Sequence, residues 1–195
     1  RGSPLSGVDL AMWRASRELA AAAIRFEPGL NEELAATAVW GTQQIEAFGR
    51  PRCQGVYALW YGKNPGLDRI GDVLKHANAM GAGPNGGAVM FCGDDPGAKS
   101  STLNGDSQHA FEDACVPVLY PSDQQDVLDL GVHAFRLSRY AGAWVGMKVV
   151  TSVADGIGSV DLDVDRHHPT DPADVVIAGV PWRHRPLATI GPHAV

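Results

Sequence analysis

Asp94 and Asp95 are followed closely by Asp106, His109, Glu112 and Asp113. Carboxylates and an imidazole are ligands for divalent cations, and a bound cation can activate water. That chemistry would make a metal-dependent hydrolase of Asp94, Asp95, Asp106 and His109. The spacing matches no established ligand pattern, and a solvated acidic rim explains the same composition. Gly93-Asp94-Asp95-Pro96-Gly97-Ala98-Lys99-Ser100 nearly spells G-x-x-x-x-G-K-[ST]. However, Ala98 replaces the glycine whose bare backbone would approach phosphate, and the two aspartates would place negative charge in an anion cradle. Ser100 and Ser101 lie outside a G-x-S-x-G elbow, which leaves a hydrolase triad without its nucleophile. Lys63 and Arg69 could grip a carboxylate, or be an ordinary exposed pair. His76, His133, His167, His168, His184 and His193 are dispersed.

Glu32 follows Asn31, a favoured N-cap residue, and so falls in the first turn of a helix. The helix dipole and free N–H groups stabilise an ionised carboxylate there. By pattern alone it is a helix-terminal glutamate.

The elements that must position these groups follow from periodicity. Val8, Met12, Ala15 and Leu19 recur at helical spacing, so a helix is expected from about Gly7 to Ile24, and a second from Glu32 to Gln44. Gly55–Tyr61 and Ala88–Cys92 read as buried strands, Val116–Leu119 as a short one and Trp144–Val150 as the last clear one. Between them a helix is expected over Asp68–Met80, and another behind a capping box formed by Ser122 and Gln125. Short apolar strands alternating with helices imply an α/β fold, a mostly parallel sheet with helices on both faces. Ligands in such folds sit beyond the carboxyl ends of the strands, here the loops beginning at Gly62, Gly93 and Thr151. Residues 1–154 form the expected domain, and 155–195, rich in Asp, Gly and Pro, an exit linker and the start of a following region.

Composition narrows the function classes. With 195 residues, 45% hydrophobic and 19% charged, the chain is an ordinary globular domain. No apolar run could span a bilayer, and a formal charge of −6 without a Lys/Arg cluster argues against nucleic acid. Cys53, Cys92 and Cys115 form no C-x-x-C pair, which points to a reducing, cytoplasmic compartment and to no cysteine-rich metal site. An opening at Arg1-Gly2-Ser3-Pro4, without signal-peptide features, leads us to expect a piece of a longer polypeptide.

Five separated segments carry a family resemblance: Arg1–Leu5, Gly29–Ala38, Trp60–Arg69, Gly93–Ser101 with Asp106–His109, and Pro117–Asp123. Together they resemble the pyrimidine-binding domain of the indolepyruvate ferredoxin oxidoreductases, which are thiamine-diphosphate-dependent 2-oxoacid:ferredoxin oxidoreductases, in their long fused form. The resemblance covers about Arg1 to Asp163. It implies the thiamine-diphosphate-binding fold lacking its first strand.

It also implies that Glu32 is the helix-borne catalytic glutamate, hydrogen-bonded to a ring nitrogen of the aminopyrimidine so that the thiazolium proton can be removed. Oxidative decarboxylation of a 2-oxoacid, an aryl pyruvate, would follow, with electrons passing to an iron–sulfur acceptor and the acyl group to coenzyme A. Asn31, Gly62, Lys63, Gly93 and Asp94 would line the cofactor site, and Ser3, Pro4, Ser100 and Ser101 the substrate site. Magnesium, the diphosphate and the clusters would be held by parts of the enzyme absent from this chain, which contains no Gly-Asp-Gly. The implied partners are those remaining domains, ferredoxin and a second copy in a homodimer. By itself this piece would be inactive. A non-catalytic α/β interaction module is the other reading.

Overall fold

Apolar runs bounded by glycine become the strands of one sheet, and the computed structural model describes them within residues 4–46, 51–168 and 170–182. In chain order, α1 (Ser6–Arg14), α2 (Ser16–Ala21) and α3 (Glu32–Gln43) precede β1 (Tyr57–Lys63). Then come α4 (Asn64–Arg69), α5 (Gly71–Met80) and β2 (Gly87–Asp94). After these follow α6 (Gln108–Asp113), β3 (Val118–Leu119), α7 (Gln124–Ala141), β4 (Val145–Val150) and α8 (Thr151–Ala154). A small antiparallel hairpin, β5 (Val176–Ile177) with β6 (Val180–Pro181), stands apart from the sheet.

The main sheet has the order β1-β2-β4-β3, and every pairing is parallel. Trp60 faces Met90 in register, Val89 faces Val145, and Val118 faces Gly146. Side chains alternate across a strand, so β2 serves two cores at once. Ala88, Met90 and Cys92 join Trp60, Leu67, Ile70, Leu74 and Phe111 on the side of α3 to α6. Val89 joins Val145, Met147, Val149 and Ala134 on the side of α7 and α8, where Leu5 also packs. The α/β class and the helices on both faces are therefore as expected.

Tertiary packing shifts several boundaries. The helix expected over Gly7–Ile24 is two pieces broken at Ala15, where ψ is 18°; α2 buries no residue, so no core contact holds one straight axis. Gly62, Lys63, Gly93 and Asp94, expected in loops, are the last residues of β1 and β2, because the parallel ladder runs on to Lys63↔Gly93 and Asp94↔Val150. The loop expected to begin at Gly62 is instead the end of β1 followed directly by α4, with Pro65 in its first turn, where a missing N–H costs nothing. The cap of α7 is Asp123, whose side chain accepts from the Asp126 N–H, while Asp126 accepts from Ser122. The capping box thus lies one residue later than Ser122–Gln125.

Residues of 156–168 and of 170–182 meet α7 at points spread along its length. Gln125 exchanges hydrogen bonds with the Asp161 backbone, Asp129 pairs with Arg166 and His167, Arg136 pairs with Asp171, and Trp182 donates to the Tyr140 carbonyl. Among the described residues no helix is long and apolar enough to cross a membrane.

Candidate functional site

The groups of chemical interest gather at the carboxyl edge of β1 and β2. Asn31 caps α3, its Oδ1 accepting from the Leu34 N–H at 2.9 Å, and this sets Glu32 as the first helical residue. The same residue's carbonyl accepts from the Trp60 indole N–H at 3.2 Å, which ties the helix start to β1. Trp60 can lie there because Gly62 has no side chain. A β-carbon on Gly62 would come within 2.4 Å of the indole ring. On its other flank the Glu32 side chain lies against Gly66 of α4, and its Oε2 stands 3.6 Å from the Arg69 guanidinium. The Glu32 side chain is 43% exposed, so this ion pair is solvent-screened and contributes little to stability.

The segment between β2 and α6 is fastened by two consecutive aspartates with different partners. Asp95 holds the outgoing turn: its carboxylate accepts from the N–H groups of Lys99 and Ser100 and from the Ser100 hydroxyl. Those donors, the Ser100 N–H foremost, hold its carboxyl below the usual carboxylate range. Asp94 holds the return. It is fully buried and accepts from both the N–H and the hydroxyl of Ser107 at 2.9 Å. Burial pushes its carboxyl up, against the pull of the Ser107 bonds and of Lys148. The neighbouring Cys92 thiol donates to Asp94 at 3.6 Å, and burial together with that negative charge raises it well above an ordinary thiol. Such a thiol is not a nucleophile.

Lys148, on β4, stands behind the return. Its ammonium donates to Asp106 at 2.5 Å and lies 3.7 Å from Asp94. Burial disfavours its charge, but the bond to Asp106 and the two negative fields outweigh this and raise it. The Lys148 bond likewise holds Asp106 low. Lys63 donates to the Ser100 carbonyl, joining the end of β1 to the same segment.

The residues expected to share a site are thus divided among neighbouring clusters. Glu32, Gly62 and Asn31 are linked through Trp60. Ser100 and Ser101 meet at Asp95 through hydroxyl contacts to its carboxylate, and Lys63 bonds the Ser100 carbonyl. Pro4 and Leu5 cover Gly93, where a β-carbon would meet them at 3.4 and 3.0 Å. Ser3 lies outside the described residues.

The hydrolase alternative is corrected by this geometry. Asp94, Asp95 and Asp106 each bond different backbone or lysine donors, and the His109 side chain is 85% exposed. Among the described residues no three His, Cys, Asp or Glu side chains are grouped to hold a metal. Asp94 is the last residue of β2 and bonds Ser107, whereas Asp95 lies beyond the strand and bonds Lys99 and Ser100, so the two adjacent carboxylates serve different donors.

Trp60, Gly66, Ser107 and Lys148 were not singled out from the sequence as site residues. A lysine inside the apolar run Trp144–Val150 was the available signal for Lys148. Glycine two residues beyond Trp60 on the same strand face was the signal for the indole's seat.

No protein-family model matches the chain. Indolepyruvate oxidoreductase subunit IorA of Methanothermobacter thermautotrophicus is 30% identical over 150 residues, 77% of this chain. The Methanothermobacter marburgensis subunit of the same name is 30% identical over 148 residues, and that of Pyrococcus abyssi 32% identical over 108 residues, 55% of this chain. The chain spans 22% of the length of the first two and 16% of the third. Over about three quarters of its length, this chain is a distant homologue of one region of the indolepyruvate oxidoreductase subunits IorA.

Proposed function

We propose that residues 1–154 are the pyrimidine-binding unit of a thiamine-diphosphate-dependent 2-oxoacid:ferredoxin oxidoreductase acting on an aryl pyruvate in the cytoplasm. In this reading the enzyme is a homodimer, residues 155–195 lead to its next region, and coenzyme A and ferredoxin receive the acyl group and the electrons. The observation that carries the reading is Glu32. A carboxylate that matches the family's motif opens a helix at the carboxyl edge of a parallel sheet, half-exposed and flanked by a glycine.

That arrangement fits the pyrimidine end of the cofactor. A carboxylate oxygen can take or return a proton at a ring nitrogen, and the bare α-carbon of Gly66 gives the side chain room to lie against α4. Thiamine diphosphate, when bound, supplies the electron sink that decarboxylation of a 2-oxoacid needs. Asn31 acts by capping, and Trp60 by holding the Glu32 backbone, so the carboxylate is presented from a fixed helix end. Gly62 acts by seating Trp60. Lys63 orders the Ser100–Ser101 segment, which the reading places beside the substrate. Magnesium, the diphosphate and the iron–sulfur clusters are assigned to other parts of the enzyme.

The test is proton–deuterium exchange at the thiazolium carbon in the assembled enzyme carrying Glu32→Gln. Glutamine keeps the shape and a hydrogen bond but exchanges no proton, so exchange is expected to slow by about 100-fold or more. Wild-type exchange would return Glu32 to the role of a helix-terminal carboxylate.

A further inference from the structure

We propose that Lys148 is a positioning residue that sets where the Ser100–Ser101 segment stands at the edge of the sheet. This inference rests on the proposed function only in placing substrate beside that segment. Lys148 is a cation on a central strand, its side chain only 13% exposed. One ammonium joins three structures: Asp94 at the end of β2, Asp106 at the return of the segment, and the Tyr120 ring just beyond β3, 5.3 Å from its centroid.

Other bonds also fasten the segment: Asn104 donates to the Pro96 carbonyl, Lys99 pairs with Asp155, and the Thr151 hydroxyl donates to Asp95. The outgoing turn is held by Asp95 and by Lys63. At the return, the Ser107 N–H and hydroxyl engage Asp94, and Gly105 lies so close to Asn64 of α4 that a β-carbon would meet its Oδ1 at 2.1 Å. Lys148 is the cation facing the buried Asp94 carboxylate. Without it that charge would be offset only by neutral donors, which costs far more than loss of a surface pair. Asp94 is then relieved by a proton or by water, and where it keeps its charge water reaches it by lifting the segment from residue 95 to 107. The ammonium therefore acts on the position of this segment, and its contacts lie outside the two apolar cores.

Amide hydrogen exchange on the whole chain tests this directly. In Lys148→Met, peptides covering 95–107 are expected to exchange about 10- to 100-fold faster, the worth of one charge-assisted bond, while α7 and the centre of β2 keep wild-type rates. Lys148→Arg restores the charge and is expected to return exchange in 95–107 toward wild type. If Lys148→Met fails to fold, Asp106→Asn, at an exposed carboxylate, is expected to loosen 101–107 in the same way. Wild-type exchange in 95–107, or acceleration spread evenly over the molecule, would overturn the proposal.

In the assembled enzyme Lys148→Met is expected to raise the KM for the 2-oxoacid about tenfold, with a smaller effect on kcat and recovery in Lys148→Arg. A loosened segment with unchanged KM would overturn the positioning role. Failure of the cofactor reading would be registered separately, by the thiazolium exchange of Glu32→Gln.

Discussion

The Glu32 side chain rests on Gly66, so closely that a β-carbon there would stand 2.7 Å from the Glu32 Cγ. Gly66 lies in helix α4, and its backbone is not in the left-handed region that favours glycine. Alanine is a better helix residue than glycine by about 0.5–1 kcal/mol. Gly66→Ala sets that gain against the overlap with Glu32 Cγ, so the thermal midpoint is expected to change little while the Glu32 carboxylate swings aside. Under the proposed function, a displacement of that size should slow cofactor activation by about 100-fold. Thermal denaturation and thiazolium exchange on the same variant check the two halves of this expectation.

Asp94 should give the folded chain an unusual dependence on pH. Burial raises its folded-state carboxyl above the ordinary value of 3.8, so the native state still holds the proton after the unfolded chain has lost it. Its contribution to stability therefore falls as pH rises from 3.8 through the raised value. Asp95 and Asp106 are lowered and act in the opposite sense, adding stability above 3.8 that is lost as pH falls through their depressed values. Asp94→Asn removes only the first contribution. Melting curves between about pH 4 and about pH 7 are expected to show the stability advantage of wild type over Asp94→Asn shrinking as pH rises. A gap that stays constant would contradict this assignment.

Asn78 is a second buried junction. Its Nδ2 donates to the carbonyls of Ala114 and Cys115 at 2.8 and 3.0 Å, and its Oδ1 accepts from the Trp144 N–H at 2.9 Å. Only 1% of the residue is exposed. One side chain thus fixes α5 to the end of α6 and to the start of β4, where Cys115 adopts φ 56°. Asn78→Ala leaves three backbone groups without partners and opens a cavity. A loss of about 3 kcal/mol or more is expected, read from the shift of the urea midpoint at unchanged slope.

Much of the architecture was legible because it depends on short-range patterns. Asn31 as a cap, the apolar runs of β1, β2 and β4, and the helical stripe of α7 all follow from local propensity and periodicity. Strand ends were less legible. Gly62, Lys63, Gly93 and Asp94 carry turn-like or polar signatures, yet each is held in the ladder by a partner on another strand. The stretch from 155 onward reads as an exit linker by composition. Its described residues nevertheless meet α7, because Gln125, Asp129, Arg136 and Tyr140 present partners along one helix face at intervals that composition does not display.

By itself the sequence determined the fold class, the parallel strands with helices on both faces, and Glu32 at a helix start, because each depends on residues near one another along the chain. It also carried the resemblance that the IorA relatives bear out. Only the tertiary structure decided what the acidic residues do. Asp94, Asp95 and Asp106 are close in sequence and look like one ligand set, but Asp94 at the end of β2 bonds Ser107, Asp95 beyond it bonds Lys99 and Ser100, and a lysine from β4 claims the third. Which side a strand-end carboxylate faces depends on register, and which cation meets it depends on the order of strands in the sheet. Both are set by contacts between residues far apart in the chain, and local pattern carries no information about them.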